Sequence, residues 1–336
     1  MRVAVVGAGA IAQTHAGHLA ELGHELAGVC DPAAERARAL AAPAGARAYA
    51  GVEELLDGER PDAVLVCSPP ADHAAAAAAA FGRGIPVYLE KPLARVFEDG
   101  RAIVAAWRDS GCVCAVGYQW RSLDILAAAR EELHGSPPGL MVARSYGPTE
   151  PARGDVEAIG SGSWFTDPRQ SGGILFELAS HDVDLLLALA GEAEAVQATA
   201  AAGGLALRGR EAGGLHDVVS LAVRFCAGGI GAVHVGWTTE GSRPVYEIDV
   251  LAADATLTLE LDPRLRLRGR SGGREVDVRD RIAPRLHSQQ RFFAAVEGGD
   301  PGGVACTPAD ALGTLAVVLA AETAIATGAV VPVPVL

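Results

Sequence analysis

The sequence predicts an α/β protein of two domains: a doubly wound parallel sheet of the Rossmann type, then an α/β domain on an open, mostly antiparallel sheet. Three observations carry this reading. Short apolar runs alternate with helical stretches over the first third of the chain, and a Gly-x-Gly-x-x-Ala turn closes the first of those runs. After residue 121 the strand-like segments lengthen and begin to alternate apolar with polar positions. The expected domains are therefore 1–121 and 122–336.

The elements follow in order. RVAVVGAG is a strand running into the turn, and a helix is expected from about Ile11 to Leu22. ELAGVCD is the second strand, followed by a helix over Ala33–Ala42. DAVLVCSPP, an Ala-rich helix, IPVYLEKP, a helix over Phe97–Ser110 and CVCAVGYQ complete the first domain. AAPAGARAYAG reads as helix or loop. Strands joined by helices of this length require right-handed crossovers and hence a parallel sheet. Their unbroken apolar runs fit strands covered on both faces.

In the second domain LMVARSYG, AVQATAAAG, VVSLAVRF, IGAVHVGW, VYEIDVLA, ATLTLELD, LRLRGR and EVDVRD read as strands. Glycine pairs such as Gly228-Gly229 and Gly272-Gly273 separate some of them. Alternation of this kind suits a sheet with one face packed and one free, which makes a homodimer or homotetramer through that sheet the expected assembly. Helices are expected from Gly173 to about Ala190, over His287–Val296 and over Pro308–Thr327.

At 336 residues the chain is long enough for two cores. A formal net charge of −13 argues against nucleic acid and against an anionic membrane surface. MRVAVVGAG enters structure at once, and the Ala-rich stretches read as globular helices, so a cytoplasmic location is expected. The six cysteines show no zinc-ligand spacing, and histidines outside the motifs below form no spaced cluster, so no metal is expected.

The turn Gly7-Ala8-Gly9-Ala10-Ile11-Ala12 follows a strand and opens a helix, the context in which this pattern binds a dinucleotide. Gly7 makes the tight turn and Gly9 admits the pyrophosphate. The backbone at Ala10 and Ile11 supplies a helix N-terminus to the phosphates. Asp31 ends the second strand, where a carboxylate accepts the ribose hydroxyls and repels a 2′-phosphate. No arginine immediately follows it, so NAD is expected rather than NADP. Ser68 and Pro69 end another strand on the edge the cofactor crosses, and His73 lies at the start of the next helix, as a cap or beside the cofactor.

VAVVGAGAIAQTHAGHL, SPPADHAAAAAAAFGRGIPVYLEKPLA, VGYQWR and SGGILFELASHDVDLLLALAG, in this order, resemble the glucose–fructose oxidoreductase / inositol dehydrogenase / MocA family over essentially the whole chain. The resemblance implies an NAD(P)-dependent oxidoreductase that moves hydride between nicotinamide and a secondary alcohol or ketone of a sugar, cyclitol or related polyol. It implies that Lys91 of Glu90-Lys91-Pro92 lies beside the nicotinamide and bonds the reacting hydroxyl, with Glu90 at the cofactor and a cis Lys91–Pro92 bond. His181 takes or returns the hydroxyl proton, alone or with Lys91. Glu177 stands where the family usually has an aspartate and shares a helix face with His181. Asp184 reads as a structural or histidine-orienting carboxylate, and Gly172 and Gly173 as leaving room for a ligand. Tyr118, Gln119 and Arg121 are expected to face the cleft between domains, with Arg121 clamping substrate or tying the domains together. Trp164 and Phe165 are candidates either for a stacking wall against a sugar ring or for a core edge. Two other functions fit the scaffold: a glycosidase or epimerase-like enzyme with retained NAD, and a non-catalytic NAD-sensing regulator.

Overall fold

The computed structural model describes residues 1–148, 168–202, 215–238 and 241–334. The chain divides into two compact units. The first joins Met1–Ser122 to Ala283–Leu312, and the second joins Leu123–Ile282 to Gly313–Leu336. Sequence pattern alone puts everything after residue 121 in the second domain, but 283–312 belongs with the first.

The first unit holds the strands β1 (Arg2–Val6), β2 (Glu25–Cys30), β3 (Arg47–Tyr49), β4 (Ala63–Val66), β5 (Val87–Leu89) and β6 (Cys114–Val116). They pair in parallel in the order β3-β2-β1-β4-β5-β6. The order reverses between β1 and β4, the point where open α/β sheets bind ligands at their carboxyl edge. Helices α1 (Ala10–Glu21), α2 (Ala34–Ala41), α3 (Val52–Glu59), α4 (His73–Phe81) and α5 (Phe97–Ser110) make the crossovers. The pair β3–α3 was not anticipated: β3 is three residues at the sheet edge, and only Tyr49 of it is buried.

The second unit contributes α6 (Asp124–Glu132), β7 (Leu140–Pro148), the short α7 (Pro168–Ser171), a π-helical turn (Leu175–Ala179) and α8 (Ser180–Ala190). Strands β8 (Ala193–Ala201), β9 (Val218–Phe225), β10 (Ile230–Thr238), β11 (Val245–Leu251), β12 (Ala255–Asp262), β13 (Arg266–Ser271) and β14 (Arg274–Arg279) follow. With β15 (Val331–Pro332) they form, among the described residues, a nine-stranded sheet in the order β14-β13-β12-β11-β7-β10-β9-β8-β15. Within this sheet, among the described residues, only β7 and β10 pair in parallel. Ser145 of β7 lies on the buried face and bonds Asp182 of α8, whereas Arg144, on the other face, pairs with Glu247 and Asp249.

The last two helices are α9 (Pro284–Gly298) and α10 (Pro308–Thr327). Phe292, Phe293 and Ala295 of α9 sit in one core cluster with Val3, Val5, Leu19 and Leu26 of the Rossmann unit, which is why this segment belongs there. At 20 residues, with a mean hydropathy of 1.6 over its most apolar 18, α10 is long and apolar enough to cross a bilayer. Ala311, Leu315, Ala316, Val318 and Ala321 are nonetheless buried within the fold, and Thr314 bonds the buried Asp184, as in a core helix.

Candidate active site

Along the carboxyl edge of the parallel sheet, neighbouring strands deliver the predicted residues in spatial order: Asp31 after β2, the glycine turn after β1, Ser68 after β4, and Glu90–Lys91 after β5. Gly7 has φ +89°, a left-handed conformation that favours glycine. A side chain there would overlap the backbone of Cys67 and Ser68, with contacts of 2.7 Å. Gly9 differs, because a Cβ at that position meets nothing within 4 Å. The protein's own packing therefore does not require glycine at residue 9, and the open space above it fits a pyrophosphate brought against the start of α1. The fully buried Ala12 is the small third residue that lets α1 lie close to β1.

Asp31 is nearly buried, and both of its oxygens are in use. Oδ2 accepts the Ala8 N–H at 2.8 Å, and Oδ1 accepts the Ala33 N–H at 2.8 Å. Burial alone would raise this carboxyl, but the two backbone donors and Arg36 hold it below the ordinary carboxylate range. Arg36 Nη2 lies 2.9 Å from Oδ1. Arg36 does not directly follow Asp31 in sequence but reaches back to it from the first turn of α2. Asp31 also braces the glycine turn through Ala8, a role no spacing rule discloses.

Ser68 Oγ is buried with no hydrogen-bond partner among the described residues, as expected of a hydroxyl that a bound nucleotide would satisfy. Pro69 caps the short turn before α4. His73, counted among cofactor-binding residues, is wholly buried and offers a ligand no surface. It bonds the Ser68 carbonyl at 2.9 Å and approaches the Leu93 carbonyl at 3.3 Å, so it ties the loop after β4 to the one after β5. Burial pushes its imidazole toward the uncharged form.

The Lys91–Pro92 bond is cis, as the resemblance implied. Lys91 is half-buried, and its N–H donates to Glu90 Oε2 at 3.0 Å. Gly117, at the end of β6, makes room for that carboxylate: a Cβ there would lie 3.0 Å from Glu90 Oε2. Glu90 Oε1 lies 2.7 Å from Nε2 of the fully buried His15. His15 was not among the candidates; its place in Gln13-Thr14-His15 suggests only a helix interior.

Tyr118 and Arg121 correct the expected substrate contacts. Tyr118 is 1% exposed, so its ring presents no surface to a sugar. Arg121 is 8% exposed and pairs with Asp310 at 3.1 Å, which joins the turn after β6 to the start of α10. Burial raises the Asp310 carboxyl, but the Arg121 charge and Thr307 bring it below its ordinary value. Trp164 and Phe165 lie outside the described residues.

In the second unit, Glu177 lies within the π-helical turn and His181 in the first turn of α8. A π-turn widens the ladder to i→i+5 bonds and recurs at functional sites. Ser180 N–H reaches the Leu175 carbonyl in this way. Glu177 is half-buried and His181 is 8% exposed. The space expected at Gly172 is taken by the Phe176 ring, which a Cβ there would strike, so that glycine serves packing rather than a ligand.

The helix carries two further buried acids. Asp184 accepts from Thr314 Oγ1 at 2.9 Å, an anchor between α8 and α10. Asp182 accepts from Ser145 Oγ at 2.8 Å, and burial, only partly offset by that bond, pushes its carboxyl up from the ordinary 3.8 to about 7. Between those values the unfolded chain releases this proton while the fold retains it, so Asp182 ionisation lowers stability as pH rises through that window. Above about 7 the penalty is complete. The advantage in Tm of Asp182→Asn over the parent is therefore expected to grow from pH 4 to pH 7 and then level off. Thermal melts across that range check it, and a pH-independent difference contradicts it.

A dinucleotide turn braced by an acidic strand end, on a sheet edge that also carries a lysine, defines a Rossmann oxidoreductase. Residues 1–118 match the oxidoreductase family with an NAD-binding Rossmann fold, and residues 142–273 match the Gfo/Idh/MocA C-terminal domain. The chain belongs to the Gfo/Idh/MocA family. It is 28% identical to the 1,5-anhydro-D-fructose reductase of Ensifer adhaerens over 97% of both chains. The WlbA dehydrogenase of Bordetella pertussis, solved with NADH and UDP-GlcNAcA, is 25% identical with a TM-score of 0.80, over 100% of this chain and 99% of that one. A levoglucosan dehydrogenase in complex with NADH has the same fold, with a TM-score of 0.86 over 100% of both chains and 19% identity.

Proposed function

We propose that this protein oxidises a secondary alcohol on a sugar, cyclitol or related polyol, or reduces the matching ketone, with NAD as hydride carrier. The observation that carries the reading is the order of groups along one sheet edge: Asp31, Gly9, Ser68, then Lys91, on neighbouring strands. Strand spacing of about 4.8 Å spreads these groups over the span of an extended dinucleotide. Bound there, NAD supplies the acceptor for a hydride from the substrate carbon.

The chain's own groups handle the rest. Lys91 bonds and polarises the reacting oxygen, and His181 exchanges the hydroxyl proton, for which an imidazole is suited near neutral pH. Glu177 accepts hydrogen bonds from a neighbouring hydroxyl. The protein acts in the cytoplasm as a homodimer or homotetramer through the second-unit sheet. The half-exposed face carrying Arg144, Glu247 and Asp249, opposite the face that packs on α8, supports that assembly.

Incubation of the protein with a panel of sugars and polyols, with NAD and NADP in parallel, tests the reading. Net NADH formation is expected with at least one polyol, and weaker turnover with NADP because Asp31 opposes a 2′-phosphate. Product formation from a glycoside with no net NADH would instead indicate transient oxidation. Arg36→Ala is expected to strengthen the preference for NAD further, since it removes the cation that offsets Asp31.

A further inference from the structure

Two buried polar side chains of the first unit have no part in the roles above, His15 of α1 and Gln289 of α9, and both lead to the carboxylate of Glu90. His15 and Gln289 have no exposed surface, and Glu90 is 6% exposed. Their atoms form one continuous chain. His18 Nδ1 lies 2.9 Å from Gln289 Oε1, and Gln289 Nε2 lies 2.7 Å from His15 Nδ1. His15 Nε2 lies 2.7 Å from Glu90 Oε1, and Glu90 Oε2 takes the Lys91 N–H.

The chemistry of each group sets the direction of every bond. A carboxylate only accepts, so His15 carries its proton on Nε2. An amide NH₂ only donates, so His15 Nδ1 is the acceptor, and the amide oxygen must receive the Nδ1–H of His18. All three bonds therefore donate toward Glu90. Tyr88 holds α9 in place alongside, through its hydroxyl to Ser288 Oγ at 3.1 Å and its ring edge-on to Phe292.

We propose that His15 and Gln289 are positioning residues for the redox reaction: their one-way hydrogen-bond chain fixes the Glu90 carboxylate and, through it, the backbone that aims Lys91. The inference rests on the redox reading of Lys91 given above. An isolated carboxylate this deeply buried would take up a proton instead of staying charged. Burial does raise Glu90, but the His15 bond, then charge on His15 when its ring is protonated, then the charges of Arg285 and Lys91, bring it below the ordinary carboxylate range. The other titratable groups facing it are Cys67, Tyr88 and His73; burial drives each toward its uncharged form, so none replaces the His15 bond.

Gln289→Met tests this, because it keeps the side-chain length and removes both amide bonds without touching Glu90 or Lys91. A lost bond in a chain ending on a charged group is expected to lower kcat by about 10-fold. The acid limb of the kcat profile is expected to move to higher pH, because His15, no longer held by Gln289, bonds the Glu90 carboxylate less firmly and burial then raises it further. The second readout needs no substrate. In the full-length protein labelled with ¹⁵N-histidine, His15 is expected as the Nε2–H tautomer at the assay pH, and to lose that fixed tautomer in Gln289→Met. Should Gln289→Met melt below the assay temperature, His18→Ala at the half-exposed end carries the same test with a smaller shift.

An Nδ1–H tautomer in an active parent enzyme, or an unshifted profile in a folded variant, overturns the positioning role alone. The expected tautomer in a protein that turns over no NAD with any alcohol or ketone overturns the redox reading, and the positioning role with it.

Discussion

Lys91→Ala is expected to lower kcat by about 10³-fold, the range open to a group that bonds and polarises the reacting oxygen. NADH affinity should stay at the parent level, because the glycine turn, Asp31 and Ser68 are untouched. NADH fluorescence titration and single-turnover kinetics separate the two effects. His181→Ala should fall similarly, and the double variant should be little worse than either single one, as for groups serving one proton path. Equal losses of NADH affinity and turnover in Lys91→Ala would reduce the lysine to a nucleotide ligand. Full activity in His181→Ala would remove the second unit from the chemistry.

The next largest effect divides the two glycines of the turn. Gly9→Ala is expected to fold with its Tm nearly unchanged, losing at most about 1 kcal/mol as a poorer helix cap. Its NADH affinity should drop at least about 10-fold, because a methyl group stands where the pyrophosphate approaches. Gly7→Ala should do the reverse. Its positive φ and the backbone of Cys67 and Ser68 leave no room for a side chain, at a cost of about 3 kcal/mol. Thermal melts and NADH titration on the two variants resolve this, and identical behaviour would mean that the space above Gly9 has no nucleotide in it.

The architecture was largely legible because its signals are local. Val3–Val6 and Ala63–Val66 are unbroken apolar runs, and β7, β9 and β12 alternate cleanly. What escaped was either weak or distant. Arg47–Tyr49 is a three-residue edge strand with two exposed positions, which carries no periodicity to detect. Within Ser180–Leu186 every residue is buried, so helical spacing cannot disclose that burial raises the Asp182 carboxyl. Tyr118 and Arg121 follow a strand on the ligand edge, and position alone could not disclose that one is enclosed and the other committed to Asp310. The pairing of His15 with Gln289 joins positions 274 residues apart, beyond any local pattern.

The return of α9 to the first unit has a consequence for synthesis. When the ribosome has released residues 1–122, the nascent sheet still lacks Phe292 and Phe293, so its face stays uncapped while some 160 further residues are translated. Cutting the gene after residue 122 would therefore yield a sticky fragment, not a miniature nucleotide binder. A soluble version would need the 283–312 segment spliced back by a linker.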